Sequence, residues 1–189
     1  AAQDGHELIL TARREELLRA LSEELTKKYS IKVHVIAHDL GVPGGGVALF
    51  DKISALGLKP EHVINNAGFG IRGRFSEISL SKQLQMVDLN IRAVVELTYA
   101  CLPSMQKANY GKILNVGSTA GFQPGPHFAV YYATKAFLNS FSEALSVEMQ
   151  GTGITVSLLC PGATQKKFEN VYKMDKSTMF KRGAMQSRP

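Results

Sequence analysis

Apolar runs and segments of helical period alternate along this chain, starting with the strand-like stretch His6 to Ala12. Ahead of it, Ala1-Ala2-Gln3-Asp4-Gly5 reads as the last turn of a helix stopped by glycine. A helix from about Arg14 to Lys28 follows, with Leu17, Leu21 and Leu25 recurring on one face and Leu18 beside them. Glu15 and Glu16 open that helix and Lys27 and Lys28 close it, as the helix dipole favours. A strand near Lys32 to Ile36 leads through Pro43-Gly44-Gly45-Gly46 into a helix near Val47 to Leu56, ended by Gly57. The glycine run lacks the Lys-Ser/Thr that completes a phosphate loop, so it reads as a connection. The alternation continues with strand His62 to Asn65, a long helix from about Ser81 to Met105, and strand Lys112 to Val116. A helix near Tyr131 to Gln150 and a near-continuous run Ile154 to Leu159, of the kind buried on both faces, complete it. Five strands separated by helices predict an α/β domain, a doubly wound parallel sheet with crossover helices.

A length of 189 residues and 44% apolar content suit a single domain over residues 1–189. After Phe168 the chain turns polar and basic, and residues 169–189 are expected to form a mobile tail on the substrate side. The net charge of +6 owes much to that last quarter, where no aromatic residues are spaced as base-stacking platforms would require. No nucleic-acid partner is therefore expected. The five histidines show no zinc-hydrolase spacing, and no metal is expected. Cys101 and Cys160 stand far apart in apolar surroundings, which suits reduced thiols and a cytoplasmic location. No apolar run approaches the roughly 20 residues of a membrane-spanning helix.

In an open parallel sheet, ligands bind beyond the carboxyl ends of the strands. The residues at those ends here are Arg13, Asp39, Asn66-Ala67-Gly68, Ser118 and Pro161-Gly162. Tyr131 and Lys135, four apart at the start of a helix, share one face. An ammonium beside a phenol stabilises the phenolate and brings the tyrosine's pKa down from about 10 toward a usable range. Ser118 offers a hydroxyl able to hold a carbonyl.

The set Asn66-Ala67-Gly68, Asn90, Ser118, Tyr131-x-x-x-Lys135 and Pro161-Gly162 resembles the short-chain dehydrogenase/reductase family in order and spacing, from about Ala1 to Phe168. The resemblance implies a Rossmann-like fold and hydride transfer between a nicotinamide and a small carbonyl or alcohol substrate. Tyr131 would be the general acid/base; Lys135 would lower its pKa and hold the nicotinamide ribose. Ser118 would orient the carbonyl, and Asn90 would kink its helix and support a water leading to Lys135. Tyr132 has no lysine four residues on, so the acid is assigned to Tyr131. Asp39-Leu40 resembles the pair that flanks adenine, and Asn66, Ala67, Gly68, Pro161, Gly162 and Thr164 would complete the cofactor contacts. A carboxylate after the first strand seen would bind a ribose 2′-hydroxyl; Ala12-Arg13-Arg14 instead supplies cations suited to a 2′-phosphate, so NADP(H) is expected, with Arg13 the main contact.

Two departures stand out. Counting back roughly 20 residues from Arg13 to the family's glycine-rich turn passes beyond Ala1, so the first strand and that turn are expected to lie upstream in a longer product. Without them, two inner strand edges would be unpaired. Lys166 stands where the family usually has threonine, which puts one nicotinamide contact in doubt. The phenylalanines Phe69, Phe122 and Phe128 suit either an apolar pocket or loop packing. A homo-oligomer, dimer or tetramer, is expected through the helices near Leu89 and Leu145. The alternative to an enzyme is a catalytically inactive nucleotide-binding or interaction protein of the same fold.

Overall fold

The computed structural model describes residues 1–162, so Thr164, Lys166 and the tail 169–189 lie outside the described residues. A 3-10 turn at Ala2–Asp4 ends on Gly5, whose φ of 80° is the left-handed conformation that glycine adopts without strain. The elements that follow are β1 (Leu8–Ala12), α1 (Glu15–Tyr29), β2 (Val33–Ala37), α2 (Gly45–Ala55), β3 (His62–Asn65), α3 (Leu80–Val87), α4 (Ala93–Ala108), β4 (Gly111–Val116), α5 (Ala129–Glu148) and β5 (Ile154–Leu159). Every strand pair is parallel: β1 with β2, β3 with β4, and β4 with β5. Parallel neighbours need a crossover between them, which is why each strand gives way to a helix.

The strands form a pair, β1-β2, and a triplet, β3-β4-β5. Among the described residues β1 and β3 do not pair with each other, and Ile64 in β3 is 61% exposed despite its apolar side chain. The helices join the two groups. Leu97 of α4 packs both on the core around Cys101 and Ile113 and on the cluster of Ile36, Leu49 and Ile53. Glycine allows α2 to approach α4 so closely: a Cβ on Gly46 would lie 2.8 Å from Ala93 O. The Glu96 carboxylate of α4 accepts from Gly44 N at 3.2 Å and Gly46 N at 2.9 Å. The glycine run is thus a connection whose helix-start amides are held by the protein's own acid.

Three details differ from the sequence expectations. The inward residue of α1 is Leu18, while Leu17 and Leu21 remain 52% and 41% exposed, because a hydrophobic period cannot decide between adjacent leucines. The single long helix of the hydrophobic pattern is α3 and α4 joined by one π-helical turn, Asp88–Arg92, in which Ala93 N donates to Asp88 O; the interruption falls at Asn90, where the family resemblance implies a kink. Leu145 itself is buried in the core with Ile113 and Met149 and is not a surface residue of its helix; the exposed apolar residues on these helices include Val95, Tyr99 and Phe137.

Candidate active site

Ser118 lies two residues beyond β4 and caps the 3-10 turn Thr119–Phe122, its Oγ accepting from Ala120 N at 3.1 Å. A hydroxyl that accepts at one lone pair still has its O–H to give, so Ser118 is set up to donate to a carbonyl oxygen. Thr119 N donates to Pro161 O at 3.1 Å, which fastens Pro161-Gly162, at the end of β5, to the turn carrying Ser118.

Tyr131 and Lys135 occupy the first turns of α5 and are both buried. Lys135 Nζ donates to Val116 O at 2.8 Å, placing the ammonium at the end of β4, two residues before Ser118. Burial lowers the Lys135 pKa to about 8, with a smaller opposing influence from Cys160. The Tyr131 ring stands 6.3 Å from Phe128 and 6.1 Å from Tyr132, centroid to centroid. A Cβ at Gly70 would fall 2.7 Å from the ring, so the loop after β3 rests directly on Tyr131. Burial raises the pKa of the Tyr132 phenol, which makes it the poorer acid/base near neutrality.

Asn90 sits in the π-helical turn and is 1% exposed. Its Nδ2 donates to Phe69 O at 2.9 Å and to Thr134 Oγ1 at 3.0 Å, and its Oδ1 accepts from Phe69 N at 3.1 Å. A Cβ on Gly68 would lie 3.1 Å from Asn90 Oδ1 and 3.6 Å from Lys135 Nζ. Gly68, Asn90 and Lys135 therefore meet at one corner. Thr134, which the sequence reading missed, donates its hydroxyl to Tyr131 O at 2.7 Å and so links the Asn90 amide to the helix turn that bears Tyr131. Also missed was a buried polar chain beneath the site: Asn65 Nδ2 donates to Asn115 Oδ1 at 2.8 Å, and Asn115 Nδ2 to Ser142 Oγ at 2.9 Å. An asparagine at the end of β3 and another just before the end of β4, each following a pair of aliphatic residues, was its signal in the sequence.

On the cofactor side, Arg13 is exposed between β1 and α1, and the Ala12↔Ala37 register puts the ends of β1 and β2 side by side. Asp39 Oδ1 accepts from Gly41 N at 2.8 Å, fixing the turn after β2, while Leu40 packs on the Ile36 cluster. Asn66, Ala67 and Gly68 are exposed at the end of β3. The expected positions Arg13, Asp39, Asn66 to Gly68, Ser118 and Pro161-Gly162 thus all lie just past strand C-termini. Phe69 and Phe128 pack with Met86 and Tyr131, leaving Phe122 as the exposed member of the three phenylalanines. Among the described residues no group of three or more His, Cys, Asp or Glu could hold a metal ion, and no helix is long and apolar enough to cross a membrane.

Parallel strands joined by helices, with Ser118 and the Lys135 ammonium at the carboxyl end of β4, define an α/β protein of the kind whose ligands bind at that edge of the sheet. The chain belongs to the short-chain dehydrogenase family, whose model it matches over residues 1–176. It is 34% identical over 169 residues to sulfoacetaldehyde reductase 2 of Chromohalobacter salexigens, covering 88% of this chain and 66% of that protein. It is 33% identical over 171 residues to the NADP-dependent 3-hydroxy acid dehydrogenase YdfG of Escherichia coli K12, covering 89% of this chain and 67% of that one. The fold is similar to that of a short-chain dehydrogenase from Sphingobium yanoikuyae in complex with NADPH, with a TM-score of 0.87 and 29% identity over 98% of this chain and 71% of that one. The chain thus spans about two thirds of the length of these curated relatives.

Proposed function

We propose that this chain is an NADP-dependent oxidoreductase that moves hydride between a nicotinamide and a carbonyl or alcohol substrate. The observation that carries this reading is the position of Lys135: a buried ammonium held on Val116 O, one helical turn after Tyr131 and beside the turn that carries Ser118. A protein gains no stability from burying an unpaired charge, so such a lysine marks a chemical role.

The residues present fit a dinucleotide. Gly68 leaves open the corner beside Lys135 and Asn90, which a larger residue would close. Lys135 has two further N–H donors for ribose hydroxyls, and Asp39 has a second carboxylate oxygen for an adenine amine. Arg13 and Arg14, with no acid before them at the end of β1, suit a 2′-phosphate. NADPH is named with the Sphingobium structure, which agrees with that choice.

A reduced nicotinamide held by these residues would supply the hydride that the carbonyl carbon takes up. Ser118 donates to the carbonyl oxygen and fixes its position. Tyr131 delivers the proton to that oxygen, and the Lys135 ammonium stabilises the phenolate left behind, which solvent then reprotonates. The alcohol direction reverses each transfer. Asn90 acts at one remove, since its amide holds Phe69 and Thr134 around Tyr131. The enzyme works in the cytoplasm as a homo-oligomer, with Val95, Tyr99 and Phe137 among the exposed apolar residues that its helices offer for contact.

The test is Tyr131→Phe. Turnover of a carbonyl panel should vanish while a fluorescence titration with NADPH stays near the wild-type curve, and retained turnover would overturn the assignment.

A further inference from the structure

Two loops flank the Ser118–Tyr131 pair: residues 66–79 after β3 and residues 117–128 after β4. The first rests on the Tyr131 ring at Gly70, where a Cβ would meet the ring at 2.7 Å. Three residues later Gly73 N donates to His127 O at 2.9 Å, one turn before Tyr131. Between and just beyond these fixed points stand Arg72 and Arg74. Two residues of chain span at most about 7 Å, so the Arg72 backbone stays that close to the backbone touching the phenol ring.

The charges on these loops are one-sided. Arg72 and Arg74 share these loops with a single acid, Glu77, which pairs with Arg74 at 3.8 Å. Arg72 has no acid partner among the described residues and is exposed. His127 holds a φ of 64°, an uncommon conformation for a residue with a side chain, and does so beside the two arginines. A guanidinium stays charged at any working pH and matches a carboxylate or sulfonate with paired donors.

Resting on the oxidoreductase reading above, we infer that the substrate is an acid-bearing carbonyl compound, a short aldehyde or ketone with a carboxylate or sulfonate a few bonds from its carbonyl. Arg72 binds the acid group while Ser118 and Tyr131 take the carbonyl; Arg74 completes the cationic rim. Arg72 is thus a specificity-determining residue.

The experiment compares succinic semialdehyde and sulfoacetaldehyde with uncharged butanal, using the full chain and saturating NADPH. The acids should exceed butanal in kcat/KM by about tenfold or more, the scale of one charge-assisted contact. Arg72→Gln should erase most of that preference, acting through KM rather than kcat, and Arg72→Lys should restore part of it. Lys82→Gln, a charge removed from outside the two loops, should leave the preference in place. Equal use of butanal by the wild type, or an equal loss on all three compounds in Arg72→Gln, overturns the inference while sparing the oxidoreductase reading. Turnover of none of them, with NADPH still bound, sinks both.

Discussion

The side chain of Asn90 holds Phe69 by both of its backbone groups, donating to the carbonyl at 2.9 Å and accepting from the amide at 3.1 Å. A primary amide can mimic a strand edge in this way, and here it pins the loop after β3 to the helix pair α3 and α4. Because Gly70 follows at once and lies on Tyr131, the same clamp sets the floor under the phenol. The π-helical turn makes this possible: one extra residue in the turn lets Asn90 project inward while the helix continues on its original side.

Removing that clamp has a definite cost. Asn90→Ala leaves the Phe69 N–H and C=O without their partner in a largely enclosed place, worth about 2–3 kcal/mol in total. The expected outcome is a lower urea midpoint together with a fall in turnover, since the loop against Tyr131 loosens. A midpoint unchanged from the wild type would show that Phe69 finds other partners.

The cofactor preference turns on Arg13. Replacing it with glutamine removes a charge-assisted contact to a 2′-phosphate and should weaken NADPH binding about tenfold, the scale of such a bond, with little effect on NADH. Fluorescence titration with both nucleotides is the check. Equal losses for the two would mean that Arg13 serves the turn between β1 and α1 and not the phosphate.

Much of this architecture was legible in the sequence, and the parts that were not share a cause. The strands His62–Asn65 and Ile154–Leu159 have the bounds that the sequence predicts, yet the run Ile154 to Leu159 is not buried on both faces as expected: burial alternates along each strand, and Ile64 and Leu159 are exposed, because a run of β-formers marks a strand without saying which faces are covered. Tyr131, Lys135 and Ser118 could be placed because helix period and strand ends fix their setting. The π-helical turn at Asp88–Arg92 leaves the hydrophobic period almost unaltered, so the pattern predicts one unbroken helix there. The Asn65–Asn115–Ser142 chain depends on which residues of separate strands fall opposite one another, a matter of register rather than composition. Likewise, the bond from Gly73 N to His127 O joins loops far apart in sequence, which no local pattern announces.

Lys135 offers a test in which stability and function move in opposite directions. Burial holds its pKa near 8 in the folded protein against an ordinary value of 10.5, so folding disfavours the charged form. Between these two values the unfolded chain binds more protons than the folded one, and stability therefore rises with pH across that interval. Below about pH 8 the penalty is fully present, and above about pH 10.5 it has gone. Lys135→Met removes the charge but keeps the length, so the variant should be more stable than the wild type at pH 7. The gain is about 1–2 kcal/mol once the lost bond to Val116 O is set against it. It should shrink steadily as urea titrations are repeated from pH 8 upward, while carbonyl turnover is lost at every pH. Wild-type turnover should itself decline on the alkaline side of about pH 8, as the ammonium that stabilises the phenolate loses its proton. A variant less stable than the wild type by the same amount at all pH values would show that Lys135 is held for packing and hydrogen bonding alone.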